Sequence, residues 1–176
     1  MELLLGCGSN HKKQMSTQGR ESWDGLVTLD INDDHQPDVV HDISKLPLPF
    51  DDNTFDEIHA YEVLEHVGAQ GDWRFFFDQW SDFWRVLKPG GRVLGHSPHY
   101  ASPWAFGDPG HTRIITLESF TFLQQPNYAD QVGRTAMTDY RFCYDADFEV
   151  HHGEERGGTI YFVLGAVKPS RIVRPA

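Results

Sequence analysis

Four short apolar runs follow one another in the first third of the chain, and each stops at a glycine turn or a carboxylate. Leu3-Leu4-Leu5 ends at Gly6-Cys7-Gly8, Leu26-Val27-Thr28-Leu29 at Asp30, Asp38-Val39-Val40-His41 at Asp42, and the alternating Phe55–Tyr61 at Glu62. Runs of this length bounded by turn residues read as buried strands. Repeated strand and connection units build an α/β sheet, and such sheets bind their ligands beyond the carboxyl ends of parallel strands. Four polar strand tips in succession therefore predict one crevice along one edge of one sheet.

A single connection has an unmistakable helical period. Residues 71–87 carry Trp73, Phe76, Phe77, Trp80, Phe83, Trp84 and Leu87 at i, i+3, i+4, i+7 spacing, and Pro89-Gly90-Gly91 terminates the pattern. Arg92–His96 then reads as a fifth strand. Residues 97–115 form a Pro-, Gly-, His- and aromatic-rich loop too long for a mere connector. A short helix is expected from Thr116 to Leu123, irregular chain over 124–140, and a bent sixth strand from Phe142-Cys143-Tyr144 with Phe148–His151. The turn Gly153–Gly158 leads into Thr159–Val167, a hairpin that makes the final strand antiparallel.

With 176 residues the chain suits one core, so a single domain over 1–168 and a loose tail over 169–176 are expected. Fifteen Lys+Arg against 26 Asp+Glu give a net charge of −11, which disfavours nucleic acid and anionic membrane as partners, although Lys12, Lys13 and Arg20 offer a local basic edge. Cys7 and Cys143 form no C-x-x-C, so neither disulfides nor a cysteine zinc site is signalled. The first residues lack the basic leader of an export signal, and no run approaches a membrane span, which makes a cytoplasmic location the expectation.

Gly6 and Gly8 follow the first strand directly, where absent Cβ atoms let the backbone turn and approach a ligand. His11 stands where a dinucleotide fingerprint needs its third glycine, so a nicotinamide or flavin site is poorly supported. Asp30 lies 24 positions after Gly6, near the spacing at which a carboxylate meets a ribose held over a glycine loop. Taken alone, the glycines also suit a packing turn and Asp30 a helix cap.

The ordered set Leu5-Gly6-Cys7-Gly8-Ser9, Leu29-Asp30-Ile31, Asp42–Phe50, Asp52–Asp56, Glu62-Val63-Leu64-Glu65-His66-Val67 and Val86–Gly91 resembles class I S-adenosylmethionine-dependent methyltransferases, in particular the type 11 group, over roughly residues 2–96. The resemblance implies a Rossmann-like seven-stranded sheet of order 3-2-1-4-5-7-6, flanked by helices, with the seventh strand antiparallel. It also implies an amino-terminally truncated form, because the helix that caps the cofactor in relatives is missing here. S-adenosylmethionine is the implied cofactor. Gly6, Cys7 and Gly8 would line its methionine and ribose, Asp30 would take the ribose hydroxyls, Ile31 would lie on the adenine, Asp42 with Ile43 would hold the adenine's amino edge, and Glu62 would face the methionine end or the substrate cleft. Leu4 and Asn10 depart from the family pattern, in which an acidic or amide residue and a third glycine are common.

In some relatives that make quinones, an E-x-x-E-H cluster like Glu62, Glu65 and His66 resembles a divalent-metal site. A solvated helix start explains these residues as well, and since oxygen-rich sites need more ligands, no metal is assigned. Beyond the fifth strand, His99, Asp108 and His111 are candidate proton acceptors beside an aromatic acceptor pocket, while a structural role for His111 or Arg113 on backbone carbonyls is the competing reading. The implied activity is methyl transfer to an O or N atom of a small-molecule or protein acceptor. A non-catalytic subunit of the same fold, docking a partner or forming a homo-oligomer, is the alternative.

Overall fold

The computed structural model describes residues 1–17 and 19–174. Its elements run β1 (Glu2–Leu5), β2 (Leu26–Asp30), β3 (Val39–Val40), β4 (Phe55–Tyr61), α1 (Trp73–Val86), β5 (Leu87–Pro98), α2 (Trp104–Gly107), α3 (Gln125–Gln131), β6 (Phe148–Arg156) and β7 (Thr159–Ala166). The strands form one sheet of order β3-β2-β1-β4-β5-β7-β6. β1 to β5 pair in parallel, and β7 runs antiparallel to both β5 and β6, as the resemblance implies. The β6–β7 turn is Gly157-Gly158 alone, with φ of +62° and +81°. Both central residues of such a two-residue turn need positive φ, which glycine supplies without strain.

Alternation along the strands gives the sheet two unlike faces. Leu3, Leu5, Ile58, Ala60 and Val93 belong to the main apolar core with Phe77, Trp80, Phe83 and Val86 of α1. Trp80 is the hub, edge-on to Phe83, Phe120 and Phe148. Asp72 starts α1 by accepting from Phe75 N at 3.1 Å, and the helix passes at Leu87 straight into β5. Pro89-Gly90-Gly91 consequently lies inside β5, where the register to β4 shifts between Phe55 and Glu57.

On the opposite face Leu4 packs with Cys7 and Tyr61, and the same side carries Glu2, Glu57 and His59. Among the described residues of 6–25 there is no helix. Lys13, which the sequence offers as part of a basic edge, is buried instead: its Nζ lies 2.7 Å from Glu2 Oε2 and 3.4 Å from Glu57 Oε2. Tyr61 Oη accepts from the Gln14 and Met15 amides at 3.3 and 3.2 Å. Its own proton therefore goes to His59 Nδ1 at 2.6 Å, leaving His59 Nε2 to donate to Glu57 at 3.0 Å. Irregular chain covers this face because side chains, not a helix period, hold it down.

Three expectations are corrected. Residues 125–131 form α3 rather than irregular chain, while the short helix expected over 116–123 is present as a 3-10 helix at Leu117–Leu123. Residues 142–144 form a turn, with Cys143 and Tyr144 amides donating to Tyr140 O, so β6 begins only at Phe148. Residues 169–174 are tied down: Arg171 donates to the buried Asp147 at 2.6 and 3.1 Å, Arg174 to Asp145 at 2.5 Å, and Val173 O accepts from Arg141. Residues 175–176 of the expected tail lie outside the described residues.

Candidate active site

The crevice is built where β1, β2 and β4 end. Gly6 and Gly8 both adopt left-handed backbone, with φ of +56° and +52°. They serve different ends: a Cβ at Gly6 would meet Val63 Cγ2 at 2.4 Å, whereas one at Gly8 would point into open space. Asp30 links the two tips, its Oδ2 accepting from Gly8 N at 2.9 Å and its Oδ1 from Asn32 N at 2.8 Å. Each oxygen keeps a lone pair for a further donor. The carboxylate, on a residue 8% exposed, thus shapes the glycine turn, a duty not evident from the sequence.

Ile31, next along, is 66% exposed, an apolar side chain presented at a strand tip. Asp42 accepts from Ser44 N at 2.9 Å and Ser44 Oγ at 2.6 Å, bonds that hold its carboxyl below the usual carboxylate range. Two residues read as cofactor contacts point elsewhere. The Ile43 side chain is in the apolar core, 8% exposed. Cys7 packs against Leu4 and Tyr61, where burial raises its thiol pKa. Both lie beyond the strand ends, Ile43 in a turn, and both side chains pack inward there.

Glu62 ends β4 with φ of +50°, a left-handed conformation uncommon for a residue with a side chain and found preferentially at functional sites. Its amide donates to His96 O and its Oε1 lies 2.8 Å from His96 Nδ1, while His96 Nε2 meets Gln14 Oε1 at 3.0 Å. No local motif marks His96 as part of the site. The signal for it is register: it stands beside Tyr61 at the end of the neighbouring strand.

The loop after β5 divides the three proton-acceptor candidates. His99 belongs to the hairpin side, its amide bonded to Gly158 O and its Nε2 3.0 Å from Glu155 Oε2. Asp108 and His111 lie together, with Nε2 to Oδ2 at 4.0 Å and Gly110 N donating to Asp108 Oδ1 at 2.7 Å. The next residues dock on the turn after β4: Thr112 and Arg113 amides donate to Glu65 O, and Arg113 Nε donates to Leu64 O at 2.9 Å. Arg113 carries the carbonyl-capping role, and burial lowers its pKa to about 10. Glu65, 2% exposed, is pushed up to about 7 mainly by burial, and its Oε2 accepts from Ser97 Oγ at 2.8 Å. His66 and His111 meet edge to face, with ring centroids 4.5 Å apart. Tyr100, Trp104 and Phe106 on the same loop expose their rings to solvent.

The fold is shared with known proteins. A S-adenosylmethionine-dependent methyltransferase from Archaeoglobus fulgidus superposes with a TM-score of 0.57 at 16% identity, covering 94% of this chain and 85% of that one. A counterpart from Methanosarcina mazei gives 0.53 at 18% identity over 94% and 92%. The N-methyltransferase NodS of Bradyrhizobium japonicum, in complex with S-adenosyl-L-homocysteine, gives 0.55 at 13% identity over 94% and 76%. No curated protein matches the chain. The family model described as a methyltransferase domain matches residues 5–95. That span holds the glycine turn, Asp30, Asp42 and Glu62, and with it the chain belongs to the methyltransferase domain family.

Proposed function

We propose that the chain transfers a methyl group from S-adenosylmethionine to an oxygen or nitrogen atom of a small-molecule acceptor, as one methyltransferase domain over residues 1–168. The observation that carries this reading is the Asp30 carboxylate, bonded to the Gly8 and Asn32 amides beside a glycine turn where a Cβ at Gly8 would meet nothing within 4 Å. That arrangement fits an adenosine: Asp30 has lone pairs left for the ribose hydroxyls, Ile31 offers an exposed apolar surface for the adenine, and Asp42 lies one tip further for its amino group. Family membership and the Bradyrhizobium structure with S-adenosyl-L-homocysteine bound support the same cofactor.

S-adenosylmethionine, when bound, supplies an activated methyl with its own leaving group. The chain then has to bind, align and exclude water. Gly6 lets the first turn close on Val63, and Glu62, held by His96, faces the methionine end. Holding donor and acceptor in line accounts for most of the acceleration such a reaction needs. Exposed Tyr100, Trp104 and Phe106 suit a flat or apolar acceptor, with Asp108 and His111 beside it, and a net charge of −11 argues against nucleic acid. Among the described residues no helix is long and apolar enough to cross a membrane, in keeping with a cytoplasmic enzyme.

The test is titration with S-adenosylmethionine and S-adenosylhomocysteine, followed by mass spectrometry of a panel of hydroxyl and amine acceptors. Saturable binding of both, and a gain of one methyl on an acceptor, is expected. Binding without turnover on any acceptor would favour the partner-docking subunit instead.

A further inference from the structure

Between the start of α1 and the chain that follows the loop after β5 lies a cavity of about 210 Å³. Trp73, Phe76, Phe122 and Tyr140 line it, and it shares no residue with the Gly6, Asp30, Asp42 and Glu62 set. The Tyr140 ring lies 5.6 Å from Trp73 and 5.9 Å from Phe122, centroid to centroid. Arg113 lines the same cavity and is 7% exposed. Its guanidinium donates to Leu64 O at 2.9 Å and to Gln79 Oε1 at 2.5 Å, both neutral acceptors, and Phe75 adds only a ring face at 5.8 Å. Glu65 and Asp72 act on it from beyond ion-pair distance. Glu65 accepts from Ser97 Oγ instead, and Asp72 caps α1. Gln79, with its oxygen turned to Arg113, leaves Nε2 buried without a partner. Donors therefore outnumber acceptors at this wall, and a buried charge with no counter-ion is rare.

We propose that this cavity binds a small carboxylate bearing a single aromatic ring, with the carboxylate on Arg113 and the ring among Trp73, Phe122 and Tyr140. An arginine presents its N–H donors in a planar fork that matches a carboxylate, and only two of its five are used here. The volume falls below the roughly 300–1,000 Å³ of drug-sized pockets, which limits the occupant to about one ring. A flat ring among tilted aromatic walls gains edge and face contacts beyond the area it buries. Asp72 also lines the cavity, yet it does not make this a cation site. Its carboxylate is exposed and screened by water, whereas the Arg113 charge is buried, where a charge acts about four times as strongly on a partner. None of these residues enters the adenosine assignment, so the inference does not rest on it.

The experiment titrates benzoate, benzyl alcohol and benzylamine into isotope-labelled full-length protein without cofactor, read by calorimetry and by the NMR signals of the Trp73 indole and the Arg113 Nε–H. One benzoate per chain is expected, with a dissociation constant of roughly millimolar or tighter, as befits so small a ligand. It should bind at least tenfold more tightly than benzyl alcohol and shift both signals, and benzylamine should not saturate. Trp73→Ala and Arg113→Met should each weaken benzoate at least tenfold, with thermal unfolding as the check that each variant is folded. Arg113 also caps Leu64 O, so the ligand series on the wild type and Trp73→Ala decide the matter if Arg113→Met does not fold. Failure of benzoate to bind, equal binding of benzyl alcohol or benzylamine, or unchanged benzoate affinity in Trp73→Ala would overturn the proposal. Failure of the cofactor assignment leaves every one of these readouts untouched.

Discussion

The two faces of one sheet are held by opposite chemistry. Against α1, Leu3, Leu5, Ile58 and Ala60 meet a wall of aromatic rings centred on Trp80. Against residues 10–24, Glu2, Glu57, His59 and Tyr61 meet a lysine, two backbone amides and the edge of Trp23. The first face depends on shape and area, the second on every donor finding its acceptor. Packing tolerates changes of pH and fails by cavity; a polar network tolerates little change of charge and fails by orphaned groups.

The largest difference should come from breaking each face at its centre. Trp80→Ala is expected to cost about 3–5 kcal/mol, the range for emptying a buried aromatic site, and to cost the same at pH 5 and pH 8 in denaturant titrations. Lys13→Met keeps the apolar stem and removes the charge between Glu2 and Glu57. A loss of about 3 kcal/mol is expected, the low end for stranding a buried ion-pair partner, and it should shrink on acidification as the carboxylates take up protons. Equal pH behaviour of the two variants would erase the distinction between the faces.

Two glutamates sharpen it further. Glu65, on the α1 side, has its pKa raised from 4.5 to about 7 by burial, so the folded protein holds that proton more tightly than the unfolded chain. Its effect on stability is nil below the unfolded value and becomes a penalty as pH rises from about 4.5 to 7. At 1.36 kcal/mol per pKa unit the penalty reaches about 3 kcal/mol, and Glu65→Gln should abolish that slope. Glu57, on the polar side, has its pKa lowered, chiefly by the His59 hydrogen bond. The sign reverses: its contribution is present above 4.5 and lost as pH falls through its folded value, so Glu57→Gln should flatten the acid limb instead. The smallest expected effect is Thr17→Val. It removes a hydroxyl that donates to Glu57 Oε1 at 3.3 Å and accepts from Arg92 Nη1 at 3.2 Å, together worth about 0.5 kcal/mol by thermal unfolding.

The same contrast explains what was legible in the sequence. α1 announces itself by its aromatic period, the strand tips by their carboxylates, and the hairpin by Gly157-Gly158. These signals are local. Lys13 reads as a surface charge because nothing near it in sequence reveals Glu2 and Glu57 as partners across two strands. Residues 142–144 have strand-forming side chains but no neighbouring strand to pair with, and Tyr144 enters the core from a turn. α3 was hidden by a polar sequence opening on Pro126, although Pro suits a helix's first turn. Of the site, Asp30 and Glu62 are readable as strand-end carboxylates. The inward packing of Ile43 and Cys7 is set by turns beyond the strand ends, where no side-chain period applies, and Glu65 meets His111 only through the folding of a long loop.

The claim on which the rest depends is that the Asp30 rim at Gly8 receives an adenosine. Calorimetric titration of S-adenosylhomocysteine into the wild type and Asp30→Asn tests it most directly, with Glu57→Gln as a control on the opposite face. The account predicts one site per chain, affinity at least tenfold weaker in Asp30→Asn, and no change in Glu57→Gln. Absence of binding to the wild type, or equal affinity in wild type and Asp30→Asn, would contradict it.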